Sequence, residues 1–215
     1  MPTSPTPPEP RMVNHWWWRP GWALGRRFYT WHLTFNDAPD VTRLVHDYDA
    51  HLNLPGLDLI PERWLHLTMQ GIGFTHDVPT ADVDQIVAAA RARLARLEPF
   101  QIALGPADVD PEVVRLKVTP AEPVARLRAQ LRGAIADVWG ADQVPEDEAD
   151  FTPHVSLAYS NRDADMQPIL DASTSITTEP ATTTIRRADL IQLHRDHQQY
   201  EWTTYVQVPL GPDDE

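Results

Sequence analysis

From Arg27 onward, apolar and polar positions recur with a regularity that divides the chain into strands and helices. The stretch RFYTWHLTF is aromatic and β-branched and predicts a strand. VTRLVHDYDAHL, entered after the cap candidate Asp40, predicts a helix, and RWLHLTMQGIGF predicts a second strand. From Thr80 to Leu97, the residues Val83, Ile86, Val87, Ala90, Leu94 and Leu97 fall on one helical face. FQIALG and EVVRLKVTP follow as strands, the second with alternating Val114, Leu116 and Val118. The second half repeats a similar order. A helix over 123–139 presents Val124, Leu127, Leu131, Ile135 and Val138, and the acidic loop VPEDEAD leads into the strand FTPHVSLAYS. A short helix over 165–172 precedes the strands TTTIRRADLIQLHR and YEWTTYVQVPL. Several strand pairs lie too close in sequence for parallel crossovers. The expected fold is therefore α+β, with largely antiparallel sheets in two similar lobes.

The first residues lack this periodicity. Residues 1–11 are rich in Pro, Ser and Thr and predict a disordered or extended tail. NHWWWRPGW then gathers Trp16, Trp17, Trp18 and Trp22, with Pro20 and Gly21 preventing a regular element. Packing as an arm on the domain is the commoner use of such aromatic area, and a base-stacking platform is the alternative. The expected organisation is an N-terminal extension over 1–26, one bilobal domain over 27–210 and an acidic tail over 211–215.

Composition narrows the function classes. The 215 residues suffice for one domain built from two lobes. A formal net charge of −13 opposes long-range attraction to a long nucleic acid and argues against a histone-like or repressor-like role. It leaves room for a small phosphorylated ligand, because a narrow cleft is governed by its local donors. The absence of cysteine removes disulfides, thiolate zinc sites and cysteine nucleophiles. No apolar run approaches the roughly 18 residues needed to span a bilayer, and MPTSPTPPEPR has no apolar secretory core. A cytoplasmic monomer with no membrane contact is the expectation.

The candidate chemistry lies in two tripeptides, His66-Leu67-Thr68 and His154-Val155-Ser156. Strand side chains alternate between faces, so each motif presents an imidazole and a hydroxyl on one surface while Leu67 and Val155 point into the core. If both surfaces face a common groove, two imidazoles and two hydroxyls converge on one ligand. Such a set suits in-line displacement at phosphorus. One neutral imidazole takes a proton from the attacking oxygen, and the other, protonated, supplies one to the leaving oxygen. The hydroxyls donate hydrogen bonds to the non-bridging oxygens. Imidazoles near their usual value of about 6.5 place the expected pH optimum near neutrality. A third copy, His32-Leu33-Thr34, is offset from the repeat and is read as structural or substrate-lining. Gln70 shares parity with His66 and Thr68, and either holds a phosphate oxygen or base edge or is an exposed strand glutamine. Tyr159 has the opposite parity from His154 and reaches the groove only if the strand ends or twists there. Arg27, Arg115 and Arg195 are candidates for a phosphate clamp, with nothing in the sequence to select among them. His46 and His51, and His194 and His197, have poor spacing for zinc. There is no Walker-type loop and no dinucleotide fingerprint. No metal or cofactor is expected.

PERWLHLTMQGIGF and FTPHVSLAYS resemble the paired His-x-Thr/Ser motifs of the two-histidine (2H) phosphoesterases, specifically the 2′-5′ RNA ligase and cyclic phosphodiesterase group. The resemblance runs from about Phe28 to Leu210. It implies a bilobal α+β fold whose two mainly antiparallel sheets flank a central groove with helices outside. It also implies metal-independent action on a nucleotide or RNA end bearing a 2′,3′-cyclic phosphate or a 2′-5′ linkage, with 2′-5′ ligation as the reverse direction. His66, Thr68, His154 and Ser156 take the catalytic positions, and Gln70, His32 and Tyr159 are the substrate-binding candidates. Ser156 stands where Thr is commoner and lacks the methyl that restricts the rotamer, and the Trp-rich arm has no place in the family pattern. Two rival readings are a non-catalytic module that holds a nucleotide or RNA end in the same groove, and a scaffold whose arm docks a protein partner.

Overall fold

A computed structural model describes residues 10–147, 149 and 151–212. Residues 1–9 of the predicted tail, Glu148 and Asp150 of the acidic loop, and residues 213–215 of the acidic tail lie outside the described residues.

In chain order the elements are β1 (Arg11–Met12), β2 (Phe28–Thr34), α1 (Pro39–Leu52), β3 (Leu57–Leu59), β4 (His66–Phe74), α2 (Thr80–Leu94), β5 (Phe100–Asp110) and β6 (Val113–Thr119). There follow α3 (Ala121–Trp139), β7 (His154–Ser160), β8 (Ala164–Asp165), α4 (Gln167–Ser175), β9 (Ala181–Ile185), β10 (Arg187–His194) and β11 (Glu201–Pro209). The helices α2 and α3 fall where their apolar stripes place them. Val83, Ile86, Ala90 and Leu94 of α2 and Val124, Leu127, Leu131 and Ile135 of α3 are all buried. Asp40 is not the cap of α1. Ala38 occupies that position and Asp40 lies in the first turn, where a carboxylate still favours the helix dipole.

All strand pairings among the described residues are antiparallel. The order β11-β10-β2-β4 makes one sheet, β3-β7-β6-β5-β9 makes a second, and β1 pairs with β8. The α+β, antiparallel, two-lobed expectation therefore holds, but the lobes are not the two halves of the sequence. Helices α2 and α3 pack on the four-stranded sheet, against β11 and β4, whereas α1 and α4 cover the five-stranded sheet, against β9 and β5. The chain crosses between lobes repeatedly. The run read as one strand, TTTIRRADLIQLHR, divides at Arg186, so that β9 edges one sheet and β10 is central in the other. Alternation in a sequence shows that a residue faces the core, not which of the two sheets carries it.

Trp31, Leu33, Leu67, Leu116 and Val155 are essentially inaccessible and belong to one continuous core. Truncating a buried leucine such as Leu67 to alanine costs about 2–5 kcal/mol, so the residue between each motif's imidazole and hydroxyl fixes which way the pair points. Residues 10–26 lie across the sheet ends as an arm. The backbone N–H of His15 donates to the Ser160 carbonyl at 2.8 Å. Gly21, at φ 83°, passes so close to β4 that a Cβ there would stand 2.5 Å from the Phe74 ring. No described helix is long and apolar enough to cross a membrane.

Candidate active site

The two lobes enclose a cavity of about 350 Å³. The four-stranded sheet contributes His32, His66 and Thr68, and the five-stranded sheet contributes His154, Ser156 and Tyr159. Six of the seven sequence-predicted site residues are thus brought together there. The seventh, Gln70, is not.

A pair of β-bulges at equivalent positions explains both the exception and the arrival of Tyr159. In β4, Thr68 pairs with His32 and Gln70 pairs with Trp31, which leaves Met69 as an extra residue. Parity is reversed beyond it, so Gln70 joins Trp31 on the core face. Its amide there donates to the Pro145 carbonyl at 2.7 Å and the Gly71 carbonyl at 3.1 Å, and accepts from Arg132 at 2.8 Å. Gln70 is a structural latch on the acidic loop and not a groove residue. In β7, Ser156 pairs with Arg115 and Ala158 with Val114, leaving Leu157 as the extra residue. The same reversal turns Tyr159 onto the cavity face. The position matching Tyr159, five residues after the other motif's histidine, is Gly71. A Cβ at Gly71 would lie 2.6 Å from Glu146 Oε1 and 3.0 Å from the Phe28 ring, two residues that line the cavity. Absence of a side chain at one equivalent position lets the acidic loop lean in, while the other is filled by tyrosine.

The two motif histidines are held alike. His66 Nδ1 lies 2.8 Å from the Trp64 carbonyl, and His154 Nδ1 lies 2.9 Å from the Thr152 carbonyl. A carbonyl only accepts, so Nδ1 carries the hydrogen in both rings, and in the neutral form each Nε2 keeps a free lone pair. His66 is buried and His154 half-buried. Burial pulls His66 down to about 4, and the nearby His154 adds to this against the Trp64 carbonyl. Burial also lowers His154. The Arg115 charge works in the same direction, and the Thr152 carbonyl and Asp110 work against it. Tyr159 is raised, mainly by burial, with Tyr200 adding to this and Ser156 working against it.

His32 is fully buried, stacked on His66 with ring centres 4.4 Å apart and planes 4° from parallel. Its Nε2 is 3.4 Å from Thr68 Oγ1. Burial holds it well below the usual imidazole range. The ring of Trp202 meets both imidazoles edge-on.

Sequence reasoning missed the arm's contribution and both glutamates. His15 lines the cavity, stacks on Tyr159 with centres 4.1 Å apart, and bridges Glu112 Oε2 at 3.1 Å to the Tyr200 hydroxyl at 3.0 Å. Burial, with Arg19 and Arg195, lowers it to about 3. Glu112 and Glu146 line the cavity, and no arginine or lysine is among the described lining residues. Arg27 pairs instead with Asp196, and Arg115 with Asp108 and Asp110. Arg195 lies beneath the rings of Trp16, Trp22 and Tyr200 and donates to the His15 carbonyl. Only position in the fold reveals these residues, since none sits in a local pattern with the motifs. No group of three His, Asp or Glu side chains among the described residues is placed to hold a metal ion.

The four cavity imidazoles that the fold lowers, His15, His32, His66 and His154, make stability fall in acid. Each binds a proton near pH 6.5 when unfolded but only at lower pH when folded, so stability is fully present above about 6.5 and is lost as pH drops toward the folded values. His66 alone accounts for about 3 kcal/mol by pH 4. Urea midpoints are expected to fall steadily from pH 7 to pH 5, less steeply in His66→Asn. A midpoint independent of pH over that range contradicts the buried neutral state.

The family model of the 2′-5′ RNA ligase superfamily matches residues 37–197. No curated protein shows significant similarity to the chain. Among solved structures, the TT0787 protein of Thermus thermophilus is 23% identical with a TM-score of 0.63, covering 88% of this chain and 100% of its own. E. coli LigT complexed with NADP+ is 18% identical with a TM-score of 0.63, covering 86% and 98%. The same protein complexed with 3′-AMP is 19% identical with a TM-score of 0.61, again covering 86% and 98%. These likenesses establish the fold.

Proposed function

The chain belongs to the 2′-5′ RNA ligase superfamily, and from that premise we propose that it opens 2′,3′-cyclic phosphates on nucleotides or RNA ends, by hydrolysis when water attacks phosphorus and by reversible 2′-5′ ligation when an RNA 5′-hydroxyl takes the place of water. The observation that carries the reading is the matched anchoring of the two imidazoles, each through Nδ1 to the carbonyl two residues earlier, in one cavity. His66, the more strongly depressed of the two, is the base. Its Nε2 takes a proton from water as the oxygen attacks phosphorus. His154, protonated, gives its Nε2 proton to the departing ribose oxygen, so the proton gained by one imidazole is balanced by that lost from the other. The hydroxyls of Thr68 and Ser156 donate to the non-bridging oxygens as charge shifts onto them. A cavity lined by two carboxylates and no arginine or lysine suits a singly charged diester better than a polyphosphate. In this reading residues 27–210 act as one catalytic unit, residues 1–26 are its extension, and the protein works as a monomer on RNA ends.

The test is incubation with 2′,3′-cyclic nucleotides, cyclic-phosphate RNA ends and 2′-5′ dinucleotides in the presence of chelator. Hydrolysis to a single phosphomonoester isomer is expected to survive EDTA. Loss of activity on chelation with recovery on adding a divalent metal overturns the mechanism. Thr68→Val and Ser156→Ala remove one charge-assisted hydrogen bond each and are expected to lower kcat roughly 10- to 100-fold at every pH. An unchanged kcat in both variants removes the hydroxyls from the reaction.

A further inference from the structure

Among the described residues, every large apolar side chain that is exposed lies in the arm: Val13, Trp17, Trp18 and Leu24. Trp16 is buried and Trp22 lines the cavity, but Trp17 and Trp18 keep 49% and 51% of their surface open. An exposed tryptophan costs hydrophobic stabilisation that a packed one supplies. Two in succession point to a ligand.

The position of Trp17 indicates which ligand. Its indole N–H donates to Glu112 Oε1 at 3.1 Å, and Glu112 is a wall of the cavity. The other oxygen of Glu112 accepts from Arg19 at 2.6 Å and from His15, which stacks on Tyr159 beside Ser156. The Arg19 guanidinium in turn lies 5.0 Å from the centre of the Trp17 ring. Aromatic surface thus begins where the cavity ends and carries a cation against it. Such a combination suits the bases and backbone of a single-stranded nucleic acid, since every base offers a π-face and arginine adds a cation–π and phosphate contact.

We propose that Trp17 and Trp18 form a stacking platform for the nucleotides preceding a cyclic-phosphate RNA end held in the cavity. The proposal rests on the reading of the cavity as a site for such ends. The net charge of −13 limits its extent. A long strand is repelled, so the platform serves one or two nucleotides beyond the terminal one.

The experiment uses RNAs of one to four nucleotides ending in a 2′,3′-cyclic phosphate. It measures kcat/KM for each and, by quenching of tryptophan fluorescence, the Kd of the same RNAs ending in a 3′-phosphate. Both affinity and kcat/KM are expected to improve roughly 10-fold or more over the first two added nucleotides, at the modest end of base–aromatic stacking, and then level off. Trp18→Ala is expected to bring the trinucleotide-to-mononucleotide ratio toward one, and Trp18→Phe to restore much of it. Trp17→Ala acts in the same direction, although it also releases Glu112. Equal values for one and four nucleotides in both measurements overturn the platform and leave cyclic-phosphate opening intact. A length dependence that survives Trp18→Ala and Trp17→Ala also overturns it. If no RNA is turned over but the length-dependent binding is lost in Trp18→Ala, the platform stands and the phosphodiesterase reading fails.

Discussion

His66→Ala and His154→Ala are each expected to lower kcat on 2′,3′-cyclic nucleotides by roughly 10²- to 10⁴-fold, the range for a positioned general acid or base. The double variant is expected to lose far less than the product of the two, because an acid without its base no longer completes the transfer. Neither substitution removes a residue from the apolar core, and circular dichroism is expected to show both variants folded. His32→Ala separates the roles further. Its ring is fully buried against His66 and reaches Thr68 but not through a freely exposed nitrogen. Removing it leaves a void next to the base, with an expected stability loss of about 2–4 kcal/mol by analogy with other large buried side chains and a smaller effect on kcat than either motif histidine. Equal losses of kcat in His32→Ala and His66→Ala contradict the assignment of His66 as the base.

Which residues a sequence exposes depends on how far strict alternation runs. His66 with Thr68, and His154 with Ser156, are two apart on uninterrupted strand, so their common face was legible, as was the inward direction of Leu67 and Val155. One residue later each strand bulges, and parity then misassigns Gln70 to the cavity and Tyr159 away from it. Neither Met69 nor Leu157 carries a mark of the bulge, since both are ordinary core residues on either account. The lobes were legible as element types but not as partners, because β9 and β10 read as one strand although they serve different sheets. The arm illustrates a different limit. Its tryptophans were visible as a cluster, yet that His15 and not one of them stacks on Tyr159 follows from pairing between β1 and β8 and from the Ser160 carbonyl that holds the His15 backbone. Those contacts span most of the chain length and leave no local pattern.

The pH dependence of kcat/KM is expected to have its maximum on the acid side of 6.5, not at neutrality. The active free enzyme needs one imidazole neutral and the other protonated. With His66 lowered to about 4 and His154 also below its usual value, that microstate is most populated between the two values, and the limbs belong to the pair. Toward acid the limb merges with the loss of stability described above, so the alkaline limb is the diagnostic one. There kcat/KM falls about tenfold per pH unit once His154 loses its proton. A bound diester places a negative charge beside both rings and favours their protonated forms, so the profile of kcat lies to the alkaline side of that of kcat/KM. The cause of the His154 shift can be altered separately. Arg115 lowers it and Asp110 raises it, so Arg115→Gln is expected to move the alkaline limb upward and Asp110→Asn to move it downward. The two variants together test the sign of each charge at one group. If chemistry limits the rate and the wild-type profile is level from pH 5 to pH 9, proton transfer between two histidines is not the mechanism, even where both residues prove necessary.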